Sequence, residues 1–505
     1  MRTKKTARNL IISTILTSLV ALIGLFKIKV FLAELGDEAT GIYQLFTQLL
    51  SYISLVDAGL TSSLLYSLYK PVSDNDHNKI NSILKGGYNF YSKIAVVIII
   101  IGIILSIKID FFLSDYTLPL NYIRVCFILF IASSGINYFV TPQKVVLEAR
   151  QNLYKVHLVV YSSMILKGLL EIILLKMNLR LLSLMILAVS ISLIQNIVIL
   201  IIAKKDYHEL NLKNVEPDNS FKKETKNLMV QKITNIIFNN IDVILISKYI
   251  SSASVVIYTS YNYIINSIQN IVKKIGSASL ASVGNLLVTE KSKARTIFYE
   301  YNAMCYYLAN IVCVPLLLVI TSFVSIFYGE TYTLSYLGSS CIVIILYFKI
   351  IDIPLEVFSE ALGYFNKLKK CLILQSVINL SLSFILLFKI GIEGVILATV
   401  ISYIVGEFAL YPKILNNNYF KDNKIKYYSH SAKLLIIGII SYGLLFLIVK
   451  NITVNNLFTW FLLGISTFIV NLIITTIYFI LIKETSFFER FKRLIKERKN
   501  NHEKK

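Results

Sequence analysis

Residues 94–107 read IAVVIIIIGIILSI, and residues 434–449 read LLIIGIISYGLLFLIV. Wound into helices, both segments are apolar on every side. A helix on the surface of a soluble core keeps a polar face for water, so these two point to lipid. Apolar runs near twenty residues recur along the chain, and about twenty residues cross a hydrocarbon core of ~30 Å. The expected spans are 10–33, 41–65, 86–107, 120–141, 156–176, 181–203, 228–247, 255–276, 303–327, 335–358, 370–388, 392–412, 432–449 and 457–482, about fourteen in all. The expected fold class is all-α, a polytopic membrane protein.

Composition agrees with that reading. Of 505 residues, 56% are hydrophobic and 16% charged, with mean hydropathy +0.67. A soluble domain carries about 25% charged residues. No polar block exceeds about 25 residues, which leaves no room for a separate soluble domain. Cys126, Cys305, Cys313, Cys341 and Cys371 lie in or beside apolar segments without metal-ligand spacing, and they read as packing residues. The basic start followed by an apolar run resembles a signal peptide. No small-residue cleavage site follows it, and the run continues through Lys27 and Lys29 to Leu32, so it reads as the first span.

The formal net charge of +22 is distributed by side. With the N-terminus inside, the inner segments are 1–9, 66–85, 142–155, 204–227, 277–302, 359–369, 413–431 and the tail from 483. They hold clusters such as Lys204, Lys205, Lys213, Lys222, Lys223 and Lys226. The alternate loops, among them ELGDEAT (34–40) and YGETYTL (328–334), are poor in Lys and Arg. The positive-inside rule then places both termini in the cytoplasm. The charge calls for anionic membrane lipids as partners, and no nucleic acid is expected. In the tail, Phe487, Phe488, Phe491, Leu494 and Ile495 share a helical face beside Lys492, Arg493 and Lys496, suiting a basic amphipathic helix on the inner leaflet.

The two halves repeat weakly at an offset of 212 to 215 residues: Glu148-Ala149 matches Glu360-Ala361, and Ile42-Tyr43 matches Ile257-Tyr258. Each copy holds an even number of spans, so the copies are parallel, as in two-lobed transporters. The expected domains are an N-lobe (1–205, spans 1–6), a cytoplasmic linker (206–227), a C-lobe (228–415, spans 7–12), two extra spans (416–482) and the basic tail (483–505). The extra pair has no charge in its interior and reads as lipid-facing helices added to the C-lobe.

A Lys, Arg or Asp at a helix centre costs roughly 2.5–3.5 kcal/mol on insertion scales, so such residues face a cavity or a partner. Lys29 and Arg124 lie near outer ends and reach the headgroups. Lys167 and Glu171, spaced i,i+4, suit a pair with each other. The eighth span carries Tyr258, Asn262, Gln269 and Lys273 as a polar stripe, with Asn266 close by, suited to sugar hydroxyls or water. The tenth places Lys349, Asp352, Glu356 and Glu360 within an arc of about 80°, with Pro354 inside it. The repeat sets Lys27 level with Asp242, and Asp57 with Lys273. These are the expected gate pairs, while Asp352 and Glu356 are the expected groups for a coupled proton or sodium step.

ELGDEATGIYQLFTQLLSYISLVDAGL (34–60), NIIFNNIDVILISKYISSASVVIYTSYNYI (235–264) and EALGYFNKLKKCLILQSVINLSLSFILLFKIGIEGVILATVISYIV (360–405) resemble the polysaccharide transporter family over about residues 8–415. These are the O-antigen or capsule lipid-linked oligosaccharide flippases of the multidrug/oligosaccharidyl-lipid/polysaccharide exporter superfamily. The resemblance implies an undecaprenyl-diphosphate-linked oligosaccharide moved from the inner to the outer leaflet by alternating access. It also implies a polysaccharide polymerase and chain-length proteins as partners. Lys27, Lys273 and Lys274 would replace the water around the diphosphate, and Tyr258, Asn262 and Gln269 would meet the sugars. One charge crossing 100 mV is worth about 2.3 kcal/mol, so an inside-negative membrane potential favours outward movement of the anion. No cofactor is expected. The competing reading is a cation-coupled multidrug exporter, whose cavity should be mainly acidic. An enzyme is not expected, since the longest outer loop, 108–119, holds no His.

Overall fold

Hydrocarbon offers no partner to a peptide group, so a chain that crosses it must satisfy every N–H and C=O within its own helices or a closed barrel. The computed structural model describes residues 2–54, 60–114, 116–208, 211–212, 215–221, 240–421 and 424–488, and among them it is helical and without strands. In chain order the helices of the first half are α1 (Arg2–Ile53), α2 (Leu60–Asp74), α3 (His77–Ile107), α4 (Leu120–Tyr138), α5 (Thr141–Ala149), α6 (Leu153–Lys176), α7 (Leu181–Asp206) and α8 (240–249). Then follow α9 (Ser252–Thr289), α10 (Lys291–Tyr328), α11 (Tyr336–Ile351), α12 (Ile353–Ala361), α13 (Phe365–Ile390), α14 (Ile392–Tyr403), α15 (Tyr411–Leu415), α16 (Lys424–Val449) and α17 (Leu457–Leu481).

Ten of these described helices are long and apolar enough to cross a membrane. The sequence expects about fourteen spans, and the two figures differ for identifiable reasons. The first two expected spans run together in α1, broken at Gly36, whose φ of 80° is open to glycine and strained for other residues. The tenth is split between α11 and α12. Much of the seventh, and Asp57 in the second, lie outside the described residues, and the eighth, within α9, is not among the ten. Local signals elsewhere are those the sequence carries. The Asp76 carboxylate accepts the Lys79 N–H at the start of α3, and an Asn456–Thr459 capping box opens α17.

The chain divides into two units, Met1–Tyr263 and Ile264–Lys505. In the first, α1 packs along α6, α3 along α4, and α4 along α7. The core of this unit gathers Phe31, Phe46, Tyr91 and Phe127, all at most 1% exposed. Residues 215–221 lie as a strap across the start of α3. Asp218 N–H donates to the Ser82 carbonyl (3.0 Å), Ser82 Oγ donates to the Glu216 carbonyl (2.6 Å), and Phe221 is buried edge-on to Phe90. A Cβ on Gly86 would stand 2.0 Å from the Asp218 carbonyl, so glycine is what lets the strap lie this close. The hydrogen bond from Lys79 holds the Asp218 carboxyl below its ordinary range. A depressed carboxyl contributes its stabilisation above the unfolded-state pKa and loses it as pH falls through the folded one. The Lys79–Asp218 pair therefore contributes at neutral pH and loses its contribution in acid.

In the second unit, α10 packs against α11, α16 and α17, and α13 against α14. The order of elements repeats that of the first unit. The nine-residue α5, TPQKVVLEA, follows α4 as the nine-residue α12, IPLEVFSEA, follows α11. Pro142 and Pro354 sit in the first turn of these short helices, 212 residues apart, and Glu148-Ala149 and Glu360-Ala361 close them. Proline lacks the N–H that would continue the preceding helix and is tolerated in a first turn, so each break begins there.

The extra pair at the C-terminal end is more than an apolar addition. On α17, Leu463, Thr467, Asn471, Thr475 and Phe479 are buried at four-residue intervals. Asn471 Nδ2 donates to the Asn310 carbonyl of α10 (2.9 Å), Asn310 Nδ2 donates to the Leu434 carbonyl of α16 (3.2 Å), and Tyr347 OH donates to Asn310 Oδ1 (3.0 Å). Trp460 Nε1 adds a bond to the Val319 carbonyl (2.9 Å). Both helices are thus fastened to the bundle by polar bonds that lipid cannot replace. Beyond α17, Phe487 and Phe488 pack their rings on Tyr307, at 5.6 and 5.1 Å. The sequence reading lays these two rings on the leaflet surface; in the structure they turn into the bundle, and residues 489–505 lie outside the described part.

Candidate functional site

Each unit concentrates charge at membrane depth. In the first, α1 and α6 lie side by side, which brings Lys27 to Glu171, 144 positions away in sequence. Lys27 Nζ stands 3.1 Å from Glu171 Oε2, donates to Tyr43 OH (3.2 Å), and lies 4.9 and 5.1 Å from the Tyr43 and Phe31 ring centroids. Lys167 Nζ reaches the other Glu171 oxygen at 3.7 Å. The Glu171 side chain is 0% exposed, and those of Lys27 and Lys167 are 20% and 25% exposed. One buried carboxylate therefore serves two ammonium groups, and the cluster keeps a net positive charge. A small anion with its own negative oxygens would find there two charged donors whose present counter-ion is shared.

The same unit holds Asp242, buried on α8, which accepts a 2.6 Å hydrogen bond from Tyr258 OH on α9. Asn262 bonds the same hydroxyl. Lys27 and Asp242, expected from the sequence as a pair, are engaged here by Glu171 and Tyr258 respectively. Tyr258 is committed to a carboxylate instead of standing free for a sugar hydroxyl.

The second unit carries the acidic counterpart. Pro354 interrupts the helix after Asp352, so Asp352 falls at the junction of α11 and α12, 6% exposed, and its Oδ1 has no hydrogen-bond partner among the described residues. Glu356 and Glu360 are exposed. The continuous arc expected over Lys349–Glu360 is interrupted at the junction. Lys349 Nζ donates to Asn266 Oδ1 at 3.5 Å. Past α14 the backbone widens into a π-helical turn, Ile404–Leu410, which places Glu407 within electrostatic range of Asp352, Glu356, Lys349 and Lys273. Gln375 Nε2 donates to Glu407 Oε1 (3.4 Å). Such π-turns are frequent at functional sites. Of the remaining expected residues, Gln269 is buried, Lys273 exposed and Lys274 half-buried. Asp57 lies outside the described residues.

Sequence reasoning missed Glu407, although a lone carboxylate within the twelfth expected span is itself a signal. It also took Glu171 for a local i,i+4 partner only. Nothing in the linear order shows that Lys27 shares it. Among the described residues no group of three or more His, Cys, Asp or Glu side chains is placed to hold a metal ion.

Comparison with known proteins bears on the fold and the family. Residues 6–281 match the family described as polysaccharide biosynthesis protein. No curated protein matches the sequence. A structure of the lipid II flippase MurJ, in an inward closed conformation, superposes with a TM-score of 0.71 at 17% identity, covering 93% of this chain and 99% of that one. An inward-facing multidrug resistance MATE family transporter of the MOP superfamily gives 0.64 at 13% identity over 81% and 98% of the two chains. An outward-facing member of that family gives 0.58 at 16% over 83% and 97%. At these identities the likeness is one of fold.

Proposed function

We propose a function from one premise, that the chain belongs to the polysaccharide biosynthesis protein family. The protein is a flippase that carries a lipid-diphosphate-linked oligosaccharide from the cytoplasmic to the outer leaflet of a bacterial cell membrane. The observation that carries this reading is the Lys27–Glu171–Lys167 cluster, a net cation held in the membrane-spanning part of the first unit. A diphosphate cannot cross hydrocarbon without charged partners, and a lysine ammonium, as a point charge, binds it without the bidentate grip that would slow its release. The fold shared with MurJ and with MATE transporters supports the reading. Basic inner loops support an orientation with both ends in the cytoplasm. Translocated units would then be handed to a polymerase and its chain-length proteins on the far side. In a strain lacking this protein, lipid-linked sugar reachable by an outside probe should fall to background while total lipid-linked sugar rises. Unchanged outer-leaflet sugar would overturn the proposal.

The acidic centre of the second unit favours one elaboration. Asp352 and Glu407, set at a helix break and a π-turn, exchange a proton or sodium ion as the protein cycles. Asp352→Asn and Glu407→Gln are each expected to slow transport about tenfold or more, the effect of ~1.4 kcal/mol on a barrier. They should also flatten its dependence on external pH or sodium. Dependence unchanged in both variants, with normal expression, removes the coupling step. The same acidic centre is what a cation-coupled drug exporter would need. A deletion strain that becomes drug-sensitive while its surface glycan stays intact would select that reading.

A further inference from the structure

The strap of residues 215–221 closes one side of a cavity that neither charge centre uses. The cavity has a volume of about 430 Å³, within the ~300–1,000 Å³ range of small-molecule sites. Its wall is α2, which presents Ser63, Ser67, Lys70 and Asp74 at intervals of four, three and four residues, one continuous polar stripe. That stripe runs from exposed Asp74 to Ser63, which is buried. Tyr66 stands beside it, 65% exposed, with the Tyr69 ring edge-on at 6.5 Å. Asp76 and Lys79 of the α3 start and Ser220 of the strap complete the rim, above a floor of Ile83 and Phe221.

Three features select the occupant. Two hydroxyls, an ammonium and a carboxylate follow one another along the stripe, an array that can both give and accept hydrogen bonds, as the hydroxyls of a sugar require. Tyr66, braced edge-on by Tyr69, offers a ring to the C–H side of a pyranose while keeping its own hydroxyl wet. The charge balance disfavours an anion, because Lys79 is already neutralised by Asp218 at 2.8 Å, leaving Asp74 and Asp76 against Lys70 alone. An anionic lipid headgroup would meet two carboxylates here. Tyrosines that only mark the membrane surface would stand on a convex lipid-facing side, whereas Tyr66 lines a concavity walled by a strap that backbone hydrogen bonds hold in place.

We propose that this cavity is a binding site for a neutral saccharide unit, where the glycan of the lipid-linked substrate is read before it is moved. The inference rests on the flippase reading for its purpose but on the cavity alone for its chemistry.

The five native cysteines are buried, so a cysteine introduced by Lys70→Cys in the full-length protein can be labelled selectively by an impermeant maleimide in inside-out vesicles. Glucose, galactose and N-acetylglucosamine, with their disaccharides, are the probes, and glycerol 1-phosphate is the headgroup control. At least one neutral sugar should slow labelling severalfold, and adding Tyr66→Ala should abolish that protection. Tyr66 is exposed, so its loss leaves the core untouched. Protection by glycerol 1-phosphate alone, by no sugar at all, or undiminished in Tyr66→Ala overturns the site. A protein protected by sugar that moves no lipid-linked glycan would sink the flippase reading and leave this site standing. One that restores surface glycan yet is protected by no sugar does the reverse.

Discussion

Glu171→Gln is expected to destabilise the protein by about 3–5 kcal/mol, the usual cost of removing one partner from a buried ion pair. The carboxylate is 0% exposed and holds Lys27 at 3.1 Å and Lys167 at 3.7 Å. Its loss leaves two ammonium groups beside each other at membrane depth without a negative charge. The cost should appear as a lower midpoint in thermal unfolding of the full-length protein in detergent. Adding Lys27→Met should recover a large part of it, because the second change removes one of the orphaned charges. That recovery separates electrostatics from packing. A midpoint equal to that of the natural protein in Glu171→Gln would mean that the charges already reach water and need no partner. Transport should respond differently: Lys27→Met alone, which keeps the Lys167–Glu171 pair, is expected to lose transport while keeping most of the fold.

The double change Asn310→Leu with Asn471→Leu is expected to loosen α16 and α17 from the second unit. Three hydrogen bonds disappear together: Asn471 to the Asn310 carbonyl, Asn310 to the Leu434 carbonyl, and Tyr347 to Asn310. Polar bonds between membrane helices average about 0.6 kcal/mol and reach ~1.7, so the set amounts to roughly 2–5 kcal/mol. Room is also short. A Cβ on Gly438 would stand 2.5 Å from Asn310 Oδ1, so α16 passes Asn310 at close range and a branched leucine has nowhere to turn. Protease sensitivity of the loop between the two helices should rise, with unfolding at lower temperature. If the double variant resists proteolysis like the natural protein, the two helices are held by lipid-facing apolar contact alone, as hydropathy by itself suggests.

Segments such as 94–107 and 434–449 declare membrane helices without reference to anything else, because hydrocarbon excludes an unpaired backbone whatever the rest of the chain does. Proline alone did not decide a break: Pro71 and Pro315 stay inside α2 and α10, whereas Pro354, read from the sequence as lying within one span, opens α12. Polar residues within spans were legible as exceptional, and Lys27, Asp242 and Asp352 do carry the charge centres or border them. Their partners were not legible. Glu171 meets Lys27 because α6 lies along α1, Glu407 nears Asp352 through a π-turn, and Asn471 reaches Asn310 across 161 positions. The strap over α3 is of the same kind, made by a glycine at position 86 and a carbonyl at position 218. Hydropathy and turn chemistry act on neighbours in sequence, so the sequence alone determined an all-helical membrane protein with a repeated order of elements. Coulomb and hydrogen-bond energies act only over a few ångströms of space. Which charge answers which was therefore decided by tertiary packing.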